Sequence, residues 1–223
     1  QMMVIICRHV DISIGSILAF SAIVIGLLYI QFPGLSLWLS LVITAFVGLI
    51  MGLINGFIVT RFNVHSIIVT LGTLSLYRGL VFIVSGGRQI DRNDIPEHVV
   101  AFSQTSFLFS IPAILIFSAV IVIITHLVMR HSVLGREIYA TGSNPIAAHL
   151  KGINVTKVTL FCFGVCGMLA GVAGLFYASR FGYVNPGVTG VGIEFIVIAG
   201  VIIGGTSITG GSGSVLGLSL IHI

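Results

Sequence analysis

The sequence predicts an all-α, polytopic transmembrane helical bundle with about six spans or part-spans. Two observations predict it. Hydrophobic residues make up 57% of the 223 positions and charged residues 7%, with a mean hydropathy of +1.18, whereas soluble domains carry about 25% charge. The apolar residues also fall in runs that reach or approach the roughly 20 residues needed to cross a bilayer. Charges are left to the gaps between those runs.

The runs can be taken in order. Met2 to Ile6 is apolar and is interrupted by Arg8, His9 and Asp11, as the tail of an earlier span would be. A first span covers about Gly15 to Ile30, and Pro33-Gly34 marks the turn after it. A second covers about Leu37 to Val59 and a third about Ile67 to Val84, with Arg61 in the break between them. A polar loop, Arg88 to Gln104, separates the third from a fourth span at about Phe107 to Met129. A fifth covers about Val158 to Tyr177. A Gly/Pro-rich stretch, Ser179 to Gly192, leads to a short apolar run, Phe195 to Ile203, and then to GGTSITGGSGS at Gly204 to Ser214, irregular by composition. Gln1 does not initiate translation, and Leu218 to Ile223 stops in mid-pattern. The expectation is a single transmembrane domain, residues 1–223, truncated at both ends.

Charge orients the spans. Arg130 to Lys157 is a basic island: Arg130, Arg136, Lys151 and Lys157 stand against the single acid Glu137. Alternating spans place it on the same side as Arg61. The 88–104 loop falls on the other side, with Arg88 and Arg92 against Asp91, Asp94 and Glu97. Positive loops mark the cytoplasmic face. Inside the island lies a compact helix signal: Asn144 as N-cap, Pro145 at the first helical position, Ile146 to Lys151, and Gly152 as stop. A capped helix in a basic loop between spans suggests a docking element for a soluble partner. The outer loop is read either as solvated or as a charge-steered dock for a binding protein.

Small residues recur every four positions at Gly48, Gly52 and Gly56, and again at Gly167, Gly171 and at Ala170, Gly174. Such stripes let helix backbones approach closely in lipid. Cys7, Cys162 and Cys166 read as small buried apolar residues. No catalytic, cofactor or metal constellation is marked. The glycines of 204–213 lack the Lys of a phosphate-binding loop, and the seven histidines are scattered singly. The formal net charge of +4 is dispersed among loops, without the clustered basic face that nucleic acid requires, so no nucleic-acid partner is expected. Polar residues within spans are candidates for a translocation pathway: Asn55, Thr70, Thr73, Tyr77 and Arg78. Each has an alternative role in satisfying neighbouring helices or snorkelling.

Five segments together resemble one family: VDISIGS (Val10 to Ser16), GLINGFIVTRF (Gly52 to Phe62), SIIVTLGTLSLYRGLVFIVSGG (Ser66 to Gly87), REIYATGSNPIAAHLKGINV (Arg136 to Val155) and VIIGGTSITGGSGSVLG (Val201 to Gly217). In order and spacing the chain is similar to permease subunits of bacterial sugar ABC importers of the ribose, xylose, rhamnose and autoinducer-2 type. Branched-chain amino-acid permeases are more distant relatives. The resemblance implies a multi-pass protein of the bacterial inner membrane, surrounded by membrane lipid. It implies pairing with a second permease subunit, cytoplasmic ATPase subunits that hydrolyse ATP on a separate chain, and a periplasmic or lipid-anchored substrate-binding protein. It implies no cofactor.

The resemblance also implies that residues 130–157 form the cytoplasmic coupling loop. The pattern that contacts the ATPase falls on Gly135, Arg136, Ile138, Ala140, Gly142, Asn144, Pro145, Ala147, Ala148, Gly152 and Ile153. The chain departs from the family's Gly-Gly-Ile-Asp-Leu-Ser-Val-Gly run, having Arg8-His9-Val10-Asp11-Ile12-Ser13-Ile14-Gly15. Leu218 to Ile223 departs from the expected continuation and reads as a non-native tail. The rival functions are a branched-chain amino-acid permease, an ion-coupled secondary transporter, and an intramembrane enzyme, for which no catalytic set is present.

Overall fold

The computed structural model describes residues 1–107, 111–215 and 217; the tail at 218–223 lies outside them. A short buried helix, α1 (Met2–Ile6), is followed by α2 (Ile14–Gln31), α3 (Leu37–Phe62) and α4 (Ser66–Ser85). The loop after α4 holds a 3-10 turn at Arg92–Asp94 and α5 (Glu97–Gln104). Then come α6 (Ala113–His131), α7 (Val133–Ser143), α8 (Pro145–Leu150), α9 (Val155–Phe181) and α10 (Ile193–Ile203). Five of these, α2, α3, α4, α6 and α9, are long and apolar enough to cross a membrane. The expected spans are therefore present, with α1 and α10 as part-spans.

Capping chemistry sets the ends of these helices. Ser36 accepts the Leu39 amide at 3.3 Å to open α3, and Asn154 accepts the Lys157 amide at 3.0 Å to open α9. The cap at Asn154 starts the fifth span three residues earlier than hydropathy suggests, and left-handed Gly182 ends it later. The fourth span starts at Ala113, not Phe107. Pro112 occupies its N-cap, and before it residues 106–107 pair antiparallel with 111–112 as two short strands.

Two further expectations are corrected. The outer loop is not simply solvated. Ile90, Ile95, Val99 and Val100 are buried in an apolar cluster with Tyr29, Val81, Leu175, Ala178 and Val184. Ile90 and Val184 exchange backbone hydrogen bonds at 3.0 and 2.9 Å, and the loop's charges pair with each other, Arg88 with Asp94 and Arg92 with Glu97. The basic island holds two helices, α7 and α8, where one was expected. Ser132 accepts the Gly135 amide at 3.0 Å, and Ile138 on α7 is fully buried, so that face of α7 anchors to the bundle.

Helix α9 is the axis of the bundle. Its Gly167 and Gly171 lie against Gly48 and Gly52 of α3, while Phe163 and Leu160 lie against Gly56. The order of these pairs makes α3 and α9 antiparallel. A β-carbon at Gly48, Gly52, Gly167 or Gly171 would collide with a backbone carbonyl of the facing helix. The two stripes seen in the sequence are thus one seam. Gly174 meets Leu18 of α2 in the same way. A second apolar cluster fills the other half of the bundle, joining α1, Val59, Val69, Met129, Ile138, Cys162 and Phe163.

Candidate functional site

Two groups of residues carry the polar chemistry, one at the basic face and one inside the bundle. At the basic face, α7 runs into α8 through Asn144. This residue closes α7, its amide donating to Ala140 O at 3.1 Å. It also opens α8, its side chain accepting the amides of Ile146 and Ala147 at 3.1 and 3.0 Å. Pro145 sits in the first turn. Lys151 closes α8, and Gly152 follows in the left-handed region at φ 84°, where a side chain would strain the turn.

The other coupling residues take distinct places. Gly135 packs on the Met129 carbonyl, and Gly142 packs on the Ile6 carbonyl so closely that neither position has room for a β-carbon. Arg136 is exposed and shares a surface cavity with His126, Arg130 and Tyr139. Ala148 faces inward and Ala147 outward. Beside Ala147, Ile146 and Leu150 are 76% and 81% exposed. This pair was not singled out from the sequence. The signal was there, two large apolar residues four apart in a polar island, which puts them on one helix face.

Inside the bundle the structure brings Asn55 and Tyr77 together with the α1–α2 turn, where Asp11 stands out in the sequence as an acid at the edge of an apolar run and Ser13 does not. The Ser13 amide and hydroxyl donate to Asp11 Oδ1 at 2.9 and 2.7 Å. Asn55 Nδ2 donates to Ser13 Oγ at 2.7 Å, and the Tyr77 hydroxyl donates to Met51 O at 2.9 Å and lies 3.1 Å from Asn55 Oδ1. Thr70 and Thr73 are buried on the same side of α4, and Thr70 Oγ1 is 3.3 Å from the carbonyl of Val10. Polar groups buried in lipid depth need such partners. Among the described residues, Asp11 Oδ2 is buried without one.

Arg78 stands apart from this cluster. It reaches the 185–192 loop, donating to Thr189 O at 2.7 Å and Pro186 O at 3.5 Å. Glu194 ties the end of that loop, accepting the Gly192 amide at 3.3 Å. All three cysteines are free and buried, with the sulfurs of Cys7 and Cys162 3.6 Å apart. Among the described residues no group of His, Cys, Asp or Glu is arranged to hold a metal ion.

A bundle of membrane-crossing helices around a glycine seam, with a capped helix pair on its basic face, defines a multi-pass membrane protein. Residues 1–221 match the family of branched-chain amino acid transport system / permease components, and the chain belongs to that family. It is 36% identical over 218 residues to the autoinducer 2 import system permease protein LsrC of Yersinia enterocolitica, covering 98% of this chain and 59% of that protein. It is 34% identical to the LsrC proteins of Yersinia pseudotuberculosis and Yersinia pestis, again covering 98% of this chain and 60% of theirs. The chain thus spans about three-fifths of the length of these relatives. No solved structure matches it significantly.

Proposed function

We propose that the chain is part of the permease subunit of an ATP-binding-cassette importer in a bacterial inner membrane. It translocates a sugar or sugar-like molecule, of the ribose, rhamnose or autoinducer-2 class, by alternating access. The observation that carries this reading is the α8 ridge. A short helix capped at both ends holds Ile146 and Leu150 out at 76% and 81% exposure, with His149 and Lys151 beside them. Exposed apolar anchors framed by polar residues suit a groove on another protein. The partner on this face is a cytoplasmic ATPase pair, which supplies the hydrolysis. Gly135, Arg136, Gly142, Asn144, Pro145, Ala147, Ala148 and Gly152 form the frame that receives its stroke. A second permease subunit and a periplasmic or lipid-anchored binding protein complete the assembly.

The substrate class is supported by the names of the LsrC relatives. Asn55, Thr70, Thr73 and Tyr77 form the polar stretch of the pathway and exchange their internal hydrogen bonds for those of substrate hydroxyls as the bundle rocks. Arg78 holds the outer loop over it. ATP binding must favour one of the two states through differential contact, since equal affinity shifts nothing.

The test is uptake by vesicles carrying the full-length permease with its ATPase and binding protein. ATP-dependent uptake of labelled autoinducer-2, ribose or rhamnose is expected, and it is lost in Ile146→Asp/Leu150→Asp while the protein still folds. Uptake of leucine alone would move the assignment to amino acids. Uptake driven by a proton or sodium gradient without ATP would overturn it.

A further inference from the structure

We propose that Arg8 is a positioning residue that fastens the break between α1 and α2 to the end of α7, and so carries movement of α8 into the buried polar cluster. The proposal rests on the transport reading above for its functional consequence.

The first observation is a repeated helix stop. Helix α1 ends Val4-Ile5-Ile6 and α10 ends Val201-Ile202-Ile203. Both close with the same backbone bonds. Cys7, Arg8 and His9 donate to Met3 O, Ile5 O and Val4 O, while Gly204, Gly205 and Thr206 donate to Gly200 O, Ile202 O and Val201 O. The residue after each C-cap is left-handed, Arg8 at φ 66° and Gly205 at φ 83°. Glycine takes this conformation without a steric penalty and arginine does not. The backbone of the first stop asks for glycine, so the arginine side chain must supply something that glycine cannot.

It supplies two hydrogen bonds to the end of α7. Arg8 Nε donates to Gly142 O at 2.6 Å and Nη2 to Ser143 O at 2.5 Å. These are the last carbonyls of α7, which lack helical partners and lie at the negative end of its dipole, where a cation is favoured. A guanidinium fork can grip two neighbouring carbonyls where an ammonium is a point charge. The next residue, Asn144, is the cap that opens α8.

On its other side the Arg8 turn is bound into the bundle. The Ile6 carbonyl accepts the Gly211 amide at 2.9 Å, and the Val10 amide donates to Ser66 Oγ at 3.0 Å. Asp11 and Ser13 then lead to Asn55 and Tyr77. One side chain therefore joins the end of α7, next to the α8 cap, to a continuous chain of bonds.

The experiment compares wild type, Arg8→Gly and Arg8→Lys in the full-length protein. Arg8→Gly relaxes the backbone but loses the two guanidinium bonds, and these opposing effects should leave its unfolding midpoint close to that of wild type. In the detergent-solubilised permease alone, amide exchange over 144–150 should rise about ten-fold in Arg8→Gly. In vesicles with ATPase and binding protein, ATP hydrolysed per molecule imported should rise about ten-fold, with partial rescue in Arg8→Lys. Unchanged exchange in Arg8→Gly, or an unchanged ratio, overturns the proposal. Wild-type vesicles that import nothing with ATP would overturn the transport reading instead, while the exchange measurement still decides the strap.

Discussion

The α3–α9 seam and the α7–α8 pair are built on opposite terms. At the seam, Gly48 and Gly52 face Gly167 and Gly171 with backbone against backbone, and almost no side chain intervenes. At the basic face, shape comes from side chains bonding to backbone: Ser132, Asn144 and Asn154 as caps, and Arg8 on the carbonyls of 142 and 143. Lipid is as apolar as leucine, so helices in it gain little from burying apolar surface and rely on close approach. At the water face exposed backbone is solvated, and only specific hydrogen bonds select one arrangement. The first region has no slack. The second rests on individual hydrogen bonds that can be released and remade, as the coupling role proposed for α8 would require.

The sharpest way to break this contrast is to add bulk at the seam. Gly52→Val or Gly167→Val drives a branched side chain into a facing carbonyl, and should destabilise by about 3 kcal/mol or more, at the upper end of overpacking effects. A thermal unfolding midpoint in detergent equal to wild type would show that the seam is not what holds α3 to α9. Next in size is Asn55→Leu, which removes the bond to Ser13 Oγ and the Oδ1 acceptor of the Tyr77 hydroxyl; losing two buried hydrogen bonds costs about 1–3 kcal/mol. Denaturant titration checks it, and a neutral result would mean that the cluster contributes little to the closed bundle.

At the basic face the effects should be smaller in stability and larger in function. Asn144→Ala removes the α8 cap and should cost about 1 kcal/mol. Gly152→Val adds strain at a left-handed position, of order 1–2 kcal/mol. Both should raise ATP hydrolysis per molecule imported in reconstituted vesicles, and unchanged coupling would sink the role assigned to α8. Last, cysteines at Glu97 and Ser143 should react with impermeant maleimide from opposite faces, with no measurable change in stability. Labelling from one face would defeat the topology. Ser103 is the wrong probe for the outer side, because it is buried and donates to Ser179 O at 2.9 Å.

Much of this was legible in the residues. Long apolar runs predicted all five crossing helices, because a helix must satisfy its own backbone in lipid. The two glycine stripes predicted close packing, and Asn144, Pro145 and Gly152 predicted α8, since caps are local chemistry. The misses share a cause. Helix α5 was hidden in a loop that reads as polar, because its burial depends on Ile90, Val99 and Val100 meeting α2 and α9 residues far away in sequence. Helix α7 was missed because Ile138 is buried by the fold and not by its neighbours in the chain. Asp11, as an acid at the edge of an apolar run, points to the bundle interior, but nothing local shows that Ser13 would link it to Asn55 and Tyr77, which lie in later spans.

By itself, the sequence determined that this is a multi-span membrane protein, which face is basic, and where the capped helix α8 begins and stops. Each follows from hydropathy, charge or capping within a few neighbouring residues. Only the tertiary structure decided that one stripe of glycines meets the other, that the polar residues of three segments bond to each other, and that Arg8 reaches residues 142 and 143. Those contacts join positions dozens of residues apart. Close packing and hydrogen bonds act over a few ångströms, and no local pattern records which distant surfaces will come that near.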